Sequence, residues 1–291
     1  MPYRFDLRDA SLSEALRRIA GEEIASMQAR IGAGSLEPGD VHGLRKSFKK
    51  LRALLRLVRH GLPEIQPAEN VVLRDAARSL SGQRDAAVRI AALDRLMPGA
   101  SDPALLALRA HLVAEAAMPA PPPPDLRDLL AGLALRINEW ELQGQDRRIL
   151  AEGLSETRSR ARRAMRAARD NPDDEVLHDW RKRAKDHWYQ ARLFLPVWPD
   201  VMRPIVTEAD RLGEALGDHH DLAMLQAHLD ALPDSILPAD TRTLLADRSR
   251  EARQAIEATA FPLGARLFAG DPEEMADLWI KWWKIWLSQI G

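Results

Sequence analysis

The chain has no cysteine, which excludes disulfides, thiolate nucleophiles and Cys-based zinc or iron–sulfur sites. Aromatic residues are scarce, with two Tyr and five Phe, and runs of β-branched residues are few; little material is left for a sheet. No uncharged apolar run approaches the roughly 18 residues of a membrane span. The opening Met-Pro-Tyr-Arg-Phe-Asp-Leu-Arg-Asp lacks the apolar centre of a secretory signal, and these absences together read as a cytoplasmic protein. Nucleophile elbows, Walker loops, zinc-protease helices and paired-carboxylate motifs are also missing. No group is nominated to break a bond, so the chain is expected to be neither an enzyme nor a cofactor carrier.

What is present is helix-forming. Apolar residues recur at three- and four-residue spacing through stretches rich in Ala, Leu, Arg and Glu, the pattern of amphipathic helices. Ser11-Leu-Ser-Glu14 has the form of a capping box, opening a helix that runs to about Ile31 before Gly32, Gly34, Pro38 and Gly39 interrupt it. Asp40 stands at an N-cap position for the next helix. Further helices are expected over roughly 68–97 and 103–117. The Pro-rich stretch 119–124 makes a stiff connection, with Asp125 capping the helix beyond it. An Arg-rich helix then ends near Arg169, and Asn171-Pro172-Asp173-Asp174 opens another.

One stretch is written twice. Residues 41–58 align without a gap on residues 177–194, so that His42 meets His178, Arg45 meets Arg181, Lys46 meets Lys182, Lys49 meets Lys185 and Arg56 meets Arg192. The same offset of 136 positions carries Leu80 and Asp85 onto Leu216 and Asp221. A register shared by two separated blocks reads as a duplication. Each half then supplies about four helices, and the expected architecture is all-α, two tandem four-helix bundles over residues 1–152 and 153–291.

The charge is segregated. Forty-two Lys and Arg nearly balance forty-three Asp and Glu, yet residues 41–60 hold seven Lys or Arg, two His and no acid. Residues 158–169 hold six Arg and no acid. On a helix, His42, Arg45, Lys49, Arg52 and Arg56 fall within about 80° of one another, beside an apolar seam of Val41, Leu44, Phe48, Leu51, Leu55 and Val58. Five cations at one-turn spacing repel, and a ligand with closely spaced anions would relieve them. A solvated basic face is the plainer account of one such stripe; two matched copies argue against it.

The pattern His-x-x-Arg-[Lys/Arg]-x-x-[Lys/Arg] opening a helix, followed some 40 residues later by Leu-x-x-x-x-Asp, resembles the conserved histidine α-helical domain, CHAD, from about Leu12 to Phe268. The resemblance implies two bundles related by a pseudo-twofold, with basic helices lining a groove or pore that binds inorganic polyphosphate, and an association with polyphosphate granules. The Glu-x-Glu-x-Lys strand motif of the CYTH triphosphatase domain, a frequent fusion partner, is absent, so this looks like a stand-alone version. The binding set comprises His42, Arg45, Lys46, Lys49, Arg52 and Arg56 with His178, Arg181, Lys182, Lys185 and Arg192. Arg30, Arg158, Arg162, Arg166 and Arg169 are expected to form a facing wall, and Asp85 and Asp221 to orient the cations, with acids favoured by the helix dipole as the plainer account of the two Asp. The sequence departs from the family pattern at Gly43, where an acid is usual, at His219-His220-Asp221, where His replaces Arg, and at Asp186 and Trp188 inside the second stripe.

Other readings stay open. His42 on a bundle has the makings of a phosphoryl acceptor, and the basic helices those of an RNA-binding module, although interleaved aromatics for base stacking are lacking. His219, His220, Asp221 and Asp218 look like metal ligands, but neighbours on a helix diverge by about 100°, and no metal is expected. The segment 278–290 carries four of the eight Trp. It is expected to pack as an amphipathic helix on the second bundle or on another subunit, with a membrane-interface anchor as the alternative. DNA is not expected as a partner.

Overall fold

In the computed structural model, described over residues 3–32, 38–80, 82–99, 101–117 and 126–290, the chain is all-α, with no strand among the described residues. The helices run in order as α1 (Leu12–Gly32), α2 (Pro38–Leu57), α3 (Ile65–Ser79), α4 (Gly82–Leu96), α5 (Pro103–Ala116), α6 (Leu126–Arg136), α7 (Asp146–Asp170), α8 (Asp174–Leu193), α9 (Pro199–Ala231), α10 (Ala239–Leu267) and α11 (Pro272–Leu287). The helix boundaries follow the sequence offset. Adding 136 to the ends of α2 gives the ends of α8, and adding it to the start of α5 gives the start of α10. The single helix α9 occupies the register of α3 and α4 together.

Local chemistry accounts for the helix starts. Ser11 Oγ accepts from the Glu14 amide (3.1 Å), while the Glu14 carboxylate reaches back to the amide of Ala10 (2.8 Å), a capping box displaced by one residue. Asp173 caps α8 by accepting from the Val176 amide. Asp40 lies inside the first turn of α2, since that helix already begins at Pro38. The Pro-rich stretch 119–124 and the Asp125 cap fall outside the described residues.

The core does not divide at the expected seam between residues 152 and 153. Helix α7 runs unbroken through that point, and Gly153 is where it crosses the end of α2; a Cβ there would lie 1.8 Å from the Leu57 carbonyl oxygen. The glycine serves a close helix approach rather than a domain break. The largest apolar cluster draws Ile24, Leu44, Phe48, Leu51, Leu133 and Leu154 together with Tyr189, Phe194 and Trp279. A second joins α4 and α5 to α9 and α10 through Leu93, Leu108, Leu225 and Leu245. A third lies among α7, α8, α9 and α10, around Trp180.

The N-terminal segment ties the halves further. The Phe5 amide donates to the Leu193 carbonyl, Tyr3 Oη donates to the Lys50 carbonyl, and the Phe5 and Phe194 rings meet edge to face at 5.2 Å. The Trp-rich helix α11 packs on α7, burying Trp279, Trp283 and Trp286 within the chain, so these rings serve the core rather than a surface. Lys281 and Lys284 are exposed, and the side chain of Ile290 lies outside the described residues. No described helix is long and apolar enough to cross a membrane.

Candidate functional site

The repeated helices α2 and α8 touch, and their basic faces meet there. Arg56 Nη1 lies 2.5 Å from Asp186, which Arg183 also approaches at 3.5 Å. Asn70 of α3 accepts from Arg52 Nε at 3.1 Å and from Arg56 at 3.4 Å. Arg56 and Arg183 thus share the Asp186 carboxylate, Arg183 is also held by Asp179 at 3.0 Å, and Arg52 and Arg56 share the Asn70 amide oxygen. Burial, and then the charge of Arg56, bring the Arg52 guanidinium down to about 10, the sign of a cation short of counter-charge. Asp186, an interruption in the second stripe when read along the sequence, is 7% exposed and supplies the acid that the first stripe lacks.

Around the start of α2, Arg30 from α1 lies across Gly43 and pairs with Asp40 at 3.4 Å. A Cβ at position 43 would stand 2.7 Å from the Arg30 Cζ, at the movable end of that long side chain. Arg45 donates to the Ala77 carbonyl near the end of α3 (2.8 Å). His42 and Lys46 are exposed and Lys49 is half-buried. Lys50 points elsewhere, to the buried Glu23 that also accepts from Ser47.

The second stripe lies along α9. Two glycines one turn apart, Gly213 and Gly217, let Lys185 and Arg181 lie against the helix backbone; a Cβ at 213 would come within 2.6 Å of Lys185 Cε. Lys185 Nζ sits between Asp210 (3.1 Å) and Glu214 (2.8 Å) and over the Trp188 ring at 4.3 Å. The Lys185 hydrogen bond, and then the charges of Arg181 and of Lys46 from the other half, hold the Glu214 carboxyl below its ordinary range. His178 stacks on His220, centroids 3.8 Å apart. Burial first, then His220, Lys182 and Arg181, bring His178 to about 3; burial, then Arg181 and Lys182, brings His220 to about 4. Lys182 is exposed, and Arg192 turns to the rings of Trp188 (4.9 Å) and Tyr3 (5.9 Å).

The expected facing wall is not assembled. Arg158 is 5% exposed and donates to the carbonyls of Leu267 and Ala269, closing the end of α10; burial holds it at about 10. Arg162 donates to the Gly270 carbonyl, and Arg169 lies over the Phe261 ring. These three side chains serve the α7 packing against α10 and α11, away from the α8–α9 face. Arg166 is exposed on the same helix. Asp221 lies 3.6 Å from Arg95 of α4, which also pairs with Asp218. The side chain of Asp85 falls outside the described residues. His219 pairs with Glu257 at 3.0 Å. A groove of about 760 Å³ between α9 and α10 is bordered by Glu208, Asp210, Glu214 and Asp218 against Arg211 and Arg266, an acid-rich lining.

Sequence reasoning missed Arg183, Asn70 and His220 as members of the site. Arg183 aligns with Ser47 and so carried no repeat signal, and Asn70 lies in no motif. His220 was visible as the residue aligned with Arg84.

Residues 10–230 match the family model of the CHAD domain. The chain is similar to a solved structure, the crystal structure of the CHAD domain from the plant Ricinus communis, at 20% identity and a TM-score of 0.60, covering 96% of this chain and 94% of that one. At that identity the likeness speaks for the fold. No curated protein matches the chain.

Proposed function

The chain belongs to the CHAD family, and from that premise we propose that it binds inorganic polyphosphate without transforming it, on the basic helices α2 and α8, in the cytoplasm at polyphosphate granules. We further read the matched helix boundaries as the trace of an internal duplication whose halves relate by a pseudo-twofold. The observation that carries the reading is the surplus of cations where the two helices meet: Arg52, Arg56 and Arg183 around Asp186, with Asp179 on Arg183 as the second acid. A chain of phosphates supplies anions at short, regular spacing, and Arg binds them through paired donors. Arg52 now rests on the neutral amide oxygen of Asn70, a partner that a phosphate displaces at little electrostatic cost.

The test is direct binding of long-chain polyphosphate, with pyrophosphate and RNA as competitors. Affinity should fall with salt, by a slope of about −0.7 per phosphate contact if condensed counterions behave as on a single nucleic-acid strand. Arg45→Glu with Lys49→Glu should weaken binding far more than Lys281→Glu with Lys284→Glu on the exposed side of α11. Equal losses from the two pairs mean diffuse attraction without a site. Stronger competition by RNA than by polyphosphate assigns the surface to nucleic acid.

A further inference from the structure

We propose that His178 and His220 form a phosphate-binding site that takes up one proton from solvent together with the anion. The second half of the molecule therefore holds polyphosphate more tightly in acid than at neutral pH. This rests on the polyphosphate reading above and adds to it a binding residue, His220, and a regulation.

The geometry is a pair of imidazoles from two helices, stacked at 3.8 Å and 23°. His178 Nδ1 is buried with no hydrogen-bond partner among the described residues. Arg181, lying on Gly217, and the exposed Lys182 flank the pair. Two rings this close accept one proton between them, since a second would set like charges under 4 Å apart. Burial and the two adjacent cations keep both rings neutral in the unliganded protein.

Nearby carboxylates have partners of their own. On α8, Asp179 holds Arg183 and Asp174 holds Arg253 of α10. On α9, Asp218 and Asp221 face Arg95 of α4, while Glu257 of α10 faces the neighbouring His219. Helix α2 contributes Lys46, whose charge acts on Glu214. Helix α7 meets α8 through an apolar core of Ala161, Met165 and Trp180. The counter-charge that would let the pair hold a proton therefore has to come from a ligand. A phosphate seated against Lys182 and the ring edges cancels the neighbouring positive field and supplies an acceptor, which favours the protonated form. The repeat sharpens the point. The residue aligned with His220 is Arg84, a permanent cation, so the first half binds without this proton.

Binding of long-chain polyphosphate is measured by calorimetry from pH 7.5 to pH 5, in two buffers of different ionisation enthalpy, for the wild type, His220→Arg and His220→Gln. Circular dichroism at each pH confirms the fold. The wild type should take up about one proton more than either variant, and its affinity should rise by up to about tenfold per pH unit in the acid range relative to His220→Gln. His220→Arg should bind several-fold tighter than the wild type at pH 7.5, with a flatter pH dependence. Should that variant fail to fold, the comparison with His220→Gln decides alone. Equal proton uptake and equal pH slopes in wild type and His220→Gln overturn the inference and leave polyphosphate binding standing. Absence of polyphosphate binding by the wild type at every pH overturns the reading beneath it.

Discussion

Helices α2 and α8 carry the same cations at the same spacing but neutralise them differently. On α2, Arg45 and Arg52 lean on neutral oxygens, and the acid that meets Arg56 comes from the other helix. On α8, Lys185 is clamped between two carboxylates of its own half and an indole, while Arg192 is spread over aromatic faces. A matched sequence pattern thus hides unequal electrostatics. Arg52 of the first stripe rests on an amide oxygen, while Lys185 of the second is held by two carboxylates.

The hardest test of that contrast is Asp186→Asn. The carboxylate is the shared counter-ion of Arg56 and Arg183, with Arg52 beside them, and both partners of its main ion pair are largely buried (side chains 16% and 10% exposed). Removing one partner of such a pair leaves uncompensated charge. Unfolding in urea should show a loss of about 2–4 kcal/mol. Saturating polyphosphate should recover more of this loss in the variant than it adds to the wild type, because the ligand replaces the missing anion. Wild-type stability in Asp186→Asn would mean that solvent already screens the cluster, and the contrast between the stripes would lose its centre.

Next in size is acid sensitivity, which the halves should not share. Position 187 is His where the first copy has Leu51, and both are buried. His187 packs against Phe268 and Trp279 with neither ring nitrogen partnered among the described residues, and burial, then Arg158, brings it to about 3. Its folded value lies below the unfolded one of about 6.5, so between the two the unfolded chain binds the extra proton and stability falls as pH drops. The loss is absent above about pH 7 and grows by about 1.4 kcal/mol per unit below about 6.5. His187→Leu should flatten this part of the stability–pH curve between pH 6.5 and pH 4. An unchanged curve would assign the acid lability to other groups.

The sequence made the helical class and several helix ends legible, because these rest on local periodicity and capping. Residues 41–58 and 177–194 aligned without the structure, and the helix ends respect that alignment. Which cation faces which partner was not legible, because that depends on contacts between residues far apart in sequence. Asp186 read as a blemish until its contact with Arg56, 130 positions away, made it a counter-ion. The arginines of α7 read as a wall of a binding site because their density was visible and their targets, the carbonyls of Leu267, Ala269 and Gly270, were not. The boundary at 152–153 came from the repeat register and falls inside α7, where Gly153 lies against the end of α2.

A smaller effect should come from unclamping the second stripe. Asp210→Asn with Glu214→Gln leaves Lys185 over Trp188 without its two acids. Each exposed pair contributes at most about 1 kcal/mol, so polyphosphate affinity should rise by roughly five- to tenfold, measured by competition at fixed salt. The same change made against Asp40, beside Arg30 in the first half, should give a smaller gain. Equal gains at the two sites would mean that net charge alone governs binding and that the clamp on Lys185 has no particular weight.

The smallest effect is expected at His42, and it separates holding phosphate from transferring it. His42 is exposed where its counterpart His178 is partly buried under His220, so the first-half ring is the one that a donor could reach. As one contact among a dozen, its replacement by Gln should cost about 0.5–1 kcal/mol, roughly threefold in affinity, the low end for a hydrogen bond at an exposed position. Gln keeps a polar group of similar reach but cannot form a phosphoramidate. If His42 instead accepts phosphate covalently, wild-type protein incubated with a phosphodonor gains one acid-labile phosphoryl group, seen by mass spectrometry, and His42→Gln gains none. A labelled wild type beside an unlabelled variant would replace the binding reading with phosphotransfer. Threefold weaker binding with no label on either protein is the outcome that follows from a stripe built to hold anions.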